Sequence, residues 1–406
     1  MENPLTDATG ASSAGEPTAE VTPAAAASWA SVSAGIGDVP EPDAAAAAAE
    51  QAAAHRRARA LGLPRGSLGK LSEVAVWLAA AQGTSPPRPI TQARAILLAA
   101  DHGIAEAGLY PWPPGATARR LAAVIAGASP LAVLARRAGV GLRLVDIAVG
   151  ATVEGDVDCD VDGEGDVGPG RPDDGGHRVR AGNGRIDQDD ALTVAEVDQA
   201  FATGRLLADE EVDAGADLLI PGALGVGADT AAAVVIAALR SHEPIDVVDR
   251  GDGSDDARWM LRTAAIRDAL RRTRPFAGDA RSVLRVAGGA DLAAIAGVLV
   301  QAAIRRTPVI IDGPAACAAA LAAERMAPGA RAWWLVGSDC PDPAARHAVE
   351  ALGLSPLVDL RIRADDGTGA FAAAALVAAA VETAADLAAA VAADGGASEA
   401  DAADIT

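Results

Sequence analysis

The chain has 406 residues, half of them apolar but only 2% aromatic, and a net charge of −21 from 34 basic and 55 acidic side chains. That size admits one large domain or two modest ones, with a core of Ala, Val, Leu and Ile. The acidity argues against a surface for nucleic acid or an anionic membrane, because both bind by phosphate neutralisation through Lys and Arg.

Residues 1–45 are Ala, Ser, Thr, Pro and Glu, with no cation before Arg56, and read as a disordered acidic tail. Residues 44–60 have strong helix propensity and are expected to open the fold. A body over 46–392 then alternates short apolar runs with Ala-rich helical stretches. The predicted strands are Ala93–Ala100, Leu142–Val149, Asp217–Pro221, Val283–Ala287, Pro308–Asp312 and Ala332–Val336. This is the pattern of an α/β protein: a mainly parallel, Rossmann-like sheet flanked by helices, with a smaller helical N-terminal part. Ligands in such folds sit beyond the carboxyl ends of the strands, so chemistry is sought there.

Residues 151–181 break the pattern with an acidic, low-complexity stretch read as a disordered surface insertion. Asp158, Asp160, Asp162 and Gly163 imitate the start of a calcium loop, but Pro169 stands where a bidentate Glu is needed, so no metal is expected. Residues 393–406 read as a loose tail. No segment carries 18–20 strongly apolar residues; Phe371–Val381 comes nearest and is stopped by Glu382. With no secretory signal and only three cysteines, a cytoplasmic protein is expected. Cys317, in an Ala run, reads as a core residue and not a nucleophile.

Five motifs fall at element ends. Gly222–Thr230 (GALGVGADT) lies between an apolar run and a helical one. Gly222, Gly225 and Gly227 permit close backbone approach, and the N–H groups before Thr230 form a natural phosphate seat. An ordinary strand-to-helix turn is the alternative. Gly288 and Gly289 offer the same two readings. Asp249–Asp256 (DRGDGSDD), followed by Arg262, offers two arginines, Arg250 and Arg262, for an anion, or a solvated loop. Asp366, in DDGTGA, is a helix cap or a general base. Asp101 and His102, in ADHGI, are a structural turn or a proton-handling pair.

The order of nine segments carries more than any one motif. PRGSLGKLSEVAVWLAAAQG, AADHGIAEAGL, GASPLAVLARRAGVGLRLVDIAVG, RAGNGRIDQDDALT, GADLLIPGALGVGADTAAA, RGDGSDD, GGADLAAIAGVL, PVIIDGPAACAAAL and LGLSPLVDLRIRADDGTGA run collinearly over about 57–390. The series resembles the nicotinate-nucleotide:dimethylbenzimidazole phosphoribosyltransferase family in its actinobacterial form. The resemblance implies a homodimer without metal or organic cofactor, acting on nicotinate mononucleotide and 5,6-dimethylbenzimidazole in cobalamin synthesis. It places Asp366 at the family's general-base glutamate, one methylene and roughly 1.5 Å shorter. It places Arg262 at a phosphate-contacting lysine and Asp252 at the threonine of the preceding loop. Ala223 stands for an acid, Ala228-Asp229 for Asn-Thr, Tyr110 for a serine near the benzimidazole, and SDCPDP (338–343) for HRSAEP. These departures leave two other readings beside the enzyme: a non-catalytic paralogue that binds a nucleotide or azole, and an enzyme using another base.

Overall fold

The computed structural model describes residues 36–113, 115–150, 158–161, 176–251, 255–364 and 366–403. Of the expected 1–45 tail, residues 1–35 lie outside the described residues, as do Asp252 and the calcium-like positions Asp162, Gly163 and Pro169, whereas Asp43 caps the first helix and Ala44 and Ala45 belong to it.

The first elements are helices α1 (Ala44–Ala60) and α2 (Lys70–Gln82), the smaller helical part. Asp43 caps α1 by accepting from the amides of Ala45 and Ala46. Strand β1 (Ala93–Ala100), helices α3 (Ala116–Ile125) and α4 (Pro130–Ala138), and strand β2 (Gly141–Ala148) follow. Strand β3 (Asp158–Val161) pairs antiparallel with β2. Next come α5 (Val194–Asp213), β4 (Leu218–Leu224), α6 (Ala228–Arg240), α7 (Asp256–Thr273) and α8 (Gly289–Ile304). The chain continues through β5 (Val309–Ile311), α9 (Gly313–Met326), β6 (Trp334–Ser338), α10 (Pro343–Leu352), β7 (Pro356–Val358) and α11 (Thr368–Ala403).

The sheet order is β3-β2-β1-β4-β5-β6-β7, and every pair except β2–β3 is parallel. The order reverses between β1 and β4. That junction is a topological switch point, where the connections leave in opposite directions and open a crevice at the carboxyl ends. Strand alternation divides the core into two layers. Ile96, Leu98 and Ala100 face the layer containing α5, α6, α8 and α9, whereas Ala95, Leu97 and Ala99 face α4 and α11. Alanine and glycine let helices approach closely. A Cβ on Gly204 of α5 would fall 1.9 Å from the Ala294 carbonyl oxygen of α8, and one on Gly297 of α8 would fall 2.2 Å from that of Phe201.

Four expectations change. Val283–Ala287 is not a strand: Ala280–Val283 is helical and Leu284–Gly288 forms a π-helical turn leading into α8. A short apolar run buried on all sides has no periodicity that separates strand from helix. Part of the acidic insertion, residues 158–161, is an edge strand, since alternation along Asp-Cys-Asp-Val suffices once β2 offers a free edge. Helix α11 continues past residue 392 to Ala403. Among the described residues three stretches, Ala116–Ala138, Ala280–Ile304 and Thr368–Ala393, are long and apolar enough to cross a membrane by length and composition, because modest alanine hydropathy accumulates over a window. In Ala280–Ile304 that window is 94% buried within the fold, where it forms the central packing helix.

Candidate functional site

The switch point gathers most of the motif residues. β1 ends at Ala100, and Asp101 Oδ2 accepts from the Gly150 amide at 2.8 Å, tying the ends of β1 and β2 together. Asn183 lies against this turn: its amide donates to the Asp101 carbonyl at 2.8 Å, and its carbonyl accepts from the Gly103 amide at 3.0 Å. The His102 side chain turns inward and meets Asp291 of α8, Nε2 to Oδ2, at 2.9 Å. Burial alone pushes this imidazole down, but the carboxylates of Asp291, first, and of Asp229 and Asp101 together outweigh it and hold His102 above its ordinary 6.5. Its other nitrogen, Nδ1, is buried without a hydrogen-bond partner among the described residues.

The glycines of the 222–230 segment serve close approach. A Cβ on Gly225 would sit 1.9 Å from the Ala100 carbonyl oxygen, and one on Gly227 would sit 2.7 Å from His102 Cβ. Gly227 also has φ +104°, which L side chains rarely adopt. The loop therefore lies directly on the end of β1. The Val226 amide is held by Thr117 Oγ1 of α3 at 3.2 Å.

At the start of α6 the polar groups converge. Tyr110 donates its hydroxyl to Asp229 Oδ1 and lies 2.5 Å from Thr230 Oγ1. Arg262 Nη1 of α7 reaches Asp229 Oδ2 at 3.2 Å, and its guanidinium stacks 4.8 Å above the Tyr110 ring. Burial opposes charge on Arg262, but Asp229, Tyr110, Asp249 and Asp342 together hold it protonated. Burial, reinforced by Asp229, pushes the Tyr110 phenol well above its ordinary value. Arg250 stands apart at the exposed rim, stacked 4.2 Å over Trp259. Arg363 pairs with Asp249 at 2.7 Å.

Asp366 lies against β4 through its backbone. A Cβ on Gly222 would fall 2.5 Å from the Asp366 carbonyl oxygen, so the start of α11 rests on the glycine of β4. Asp366 Oδ1 caps α11, accepting from Thr368 N at 3.1 Å and Thr368 Oγ1 at 2.5 Å. Oδ2 takes no hydrogen bond among the described residues.

Two carboxylates here escaped the sequence reading. Asp312, buried at the end of β5, accepts from the Ser338 amide at 3.2 Å and the Gly369 amide at 2.9 Å. Burial raises it to about 7, with the Asp366 charge adding to the rise. Asp342, within the SDCPDP segment, caps α10 through the Ala345 amide at 3.0 Å. Desolvation raises it to about 7 as well, with Asp249 and Asp229 contributing. Asn183 and Asp291 were missed too, although both lie in quoted segments. Their signal was a polar residue inside an otherwise apolar or glycine-rich run, which has meaning only once a buried partner is known.

No strand directly precedes Gly288 and Gly289: Gly288 closes the π-helical turn and Gly289 opens α8. Gly289, at φ +87°, admits the Asn183 side chain, whose Oδ1 accepts from the Ala290 amide at 2.9 Å. The Ala290 amide at the start of α8 is thus bonded within the protein, one residue from the Asp291 that meets His102. Cys317 is a buried core residue whose thiol burial pushes up, as the sequence suggested.

A phosphoribosyltransferase family model matches residues 39–394. The chain is 48% identical over 347 residues to nicotinate-nucleotide–dimethylbenzimidazole phosphoribosyltransferase of Mycobacterium tuberculosis, covering 86% of this chain and 91% of that one. It is 48% identical over 345 residues to the enzyme of the same name from Mycobacterium avium, covering 84% and 93%. The crystal structure of CobT from Thermus thermophilus superposes with a TM-score of 0.73 at 32% identity, covering 83% of this chain and 96% of that one. Its parallel sheet and collinear site segments are accounted for together: the chain belongs to the nicotinate-nucleotide:dimethylbenzimidazole phosphoribosyltransferase family.

Proposed function

We propose that the chain transfers ribose 5-phosphate from nicotinate mononucleotide to 5,6-dimethylbenzimidazole, with Asp366 as proton acceptor. The observation that supports this reading is the close approach of the Asp366 backbone to Gly222, the first glycine of the segment ending in Thr230. The nicotinate ring nitrogen of the donor is cationic and leaves readily. A benzimidazole nitrogen attacks C1′ as the C1′–N bond to nicotinate breaks, and that bond's electron pair returns to the pyridine nitrogen. The proton on the other benzimidazole nitrogen passes to Asp366 Oδ2, which keeps the new base neutral. The glycine loop, Thr230, Arg262 and, at the rim, Arg250 are assigned to the donor's phosphate, Tyr110 is assigned to both, its hydroxyl to the phosphate and its ring to the border of the base, and Asp101 and His102 shape the floor.

The protein is further proposed to act in the cytoplasm as a homodimer. Leu61, Leu63 and Leu68, between α1 and α2, are exposed large apolar side chains of the kind a partner copy covers. Incubating the purified chain with both substrates should yield α-ribazole 5′-phosphate and nicotinate in equal amounts, resolved by chromatography. No product at high enzyme concentration rejects the reading. Sedimentation would report the assembly state.

A further inference from the structure

Three hydrogen-bond donors that a bound phosphate would be expected to engage all point at one carboxylate of the protein itself. The Thr230 amide, at the start of α6, donates to Asp229 Oδ1 at 2.8 Å. The Tyr110 hydroxyl donates to the same oxygen. The Arg262 guanidinium holds Oδ2 at 3.2 Å. A helix N-terminal amide, a guanidinium and a hydroxyl are the groups that ordinarily cradle a phosphate. Tyr110 reaches Asp229 from the segment after β1 and Arg262 reaches it from α7, so the convergence is more than the local contact between Thr230 and its neighbour.

The surrounding charges reinforce this. Asp229, Asp249 and Asp342 all act on Arg262. Arg363 is taken by Asp249, and Arg250 lies over Trp259 at the exposed rim. The cluster is therefore close to charge balance before any substrate arrives. A dianionic phosphate approaching Arg262 meets a carboxylate already in its place.

We infer that Asp229 is a built-in competitor for the donor's phosphate: it occupies the anion seat in the free protein and must yield Arg262, Tyr110 and the Thr230 amide when the nucleotide binds. Asp229 is thus a specificity-determining residue, setting how weakly the phosphate is held. Two departures from the family pattern, Tyr110 and Asp229, become one feature, since each bonds the other. The inference rests on the phosphoribosyltransferase reading for the identity of the ligand, but not on turnover.

The test is calorimetric titration of the wild-type chain, Asp229→Asn and Asp229→Thr with three probes: nicotinate mononucleotide, its dephosphorylated riboside, and inorganic phosphate. Asn keeps the shape and removes the charge; Thr is a second, smaller replacement should Asn disturb folding, which melting curves would reveal. Mononucleotide and phosphate should bind the folded variants at least tenfold more tightly than wild type, about 1.4 kcal/mol. The riboside should bind all three alike. In steady-state kinetics the gain should appear in KM for the mononucleotide. Unchanged or weaker mononucleotide binding in the folded variants overturns the inference. So does an equal gain for the riboside, or no binding of mononucleotide to any of the three proteins. Absence of product with dimethylbenzimidazole, by contrast, rejects the proposed reaction while the binding comparison stands.

Discussion

His102 and Asp291 meet 2.9 Å apart with both side chains fully buried, one at the end of β1 and the other in the first turn of α8. This pair fastens the switch point to the central helix. Because Asp291, with Asp229 and Asp101, holds His102 above its ordinary 6.5, the folded chain binds the proton more tightly than the unfolded one. The stabilisation is fully present below pH 6.5 and is lost as pH rises through the folded-state value. Urea melts from pH 5.5 to 9 should show this decline. In Asp291→Asn the part of the decline above pH 7, beyond the range where Asp312 and Asp342 titrate, should shrink, with a loss of about 3–5 kcal/mol at the low-pH end. A slope identical to wild type would contradict the pairing.

Asp366 has two tasks, capping α11 and accepting a proton, and they separate by substitution. Asp366→Asn retains a cap, because Asn is as good a capping residue as Asp, so stability should move by only a few tenths of a kcal/mol. Turnover should fall by about 10²–10⁴-fold, the range for a lost general base. Asp366→Glu restores the methylene that the family's glutamate has, and kcat should rise. Parallel melting and rate measurements decide whether the carboxylate is more than a cap.

Asp312 gives a second pH signature. Its folded value, about 7, lies above the ordinary 3.8. Its contribution to stability is therefore complete below pH 4 and is lost as pH rises towards 7, on the order of 4 kcal/mol in all. Asp342 shares the rise, so Asp312→Asn should remove about half of the stability slope across that window, whatever its absolute cost. Thermal melts at half-unit intervals would show it. No change of slope would mean that Asp312 ionises freely in the fold.

Gly222 can be tested as the spacer between β4 and α11. A methyl there would lie 2.5 Å from the Asp366 carbonyl oxygen and 2.8 Å from Leu97 Cδ2. Gly222→Ala should cost about 1–3 kcal/mol by overpacking. By displacing Asp366 it should also lower kcat by tenfold or more, since misplacement by about 1 Å is enough. A variant that melts lower yet turns over at the wild-type rate would separate this contact from catalysis.

Sequence alone determined the α/β class, the exact span of β1 and α1, the glycine loop after β4 and the collinear order of the motifs. These are local or near-local properties: alternation, helix propensity and glycine placement leave their mark on contiguous residues. Tertiary structure decided the remainder. Val283–Ala287 is helical because helices enclose it, not because its residues dictate it. Asp312, Asp342, Asn183 and Asp291 look ordinary in sequence and gain meaning from neighbours brought close by the fold. The same holds for Tyr110 and Asp229, separated by more than a hundred residues, which bond only because the ends of β1 and β4 lie side by side. A hydrogen bond or an ion pair acts over a few ångströms of space, and the chain order carries no measure of that distance.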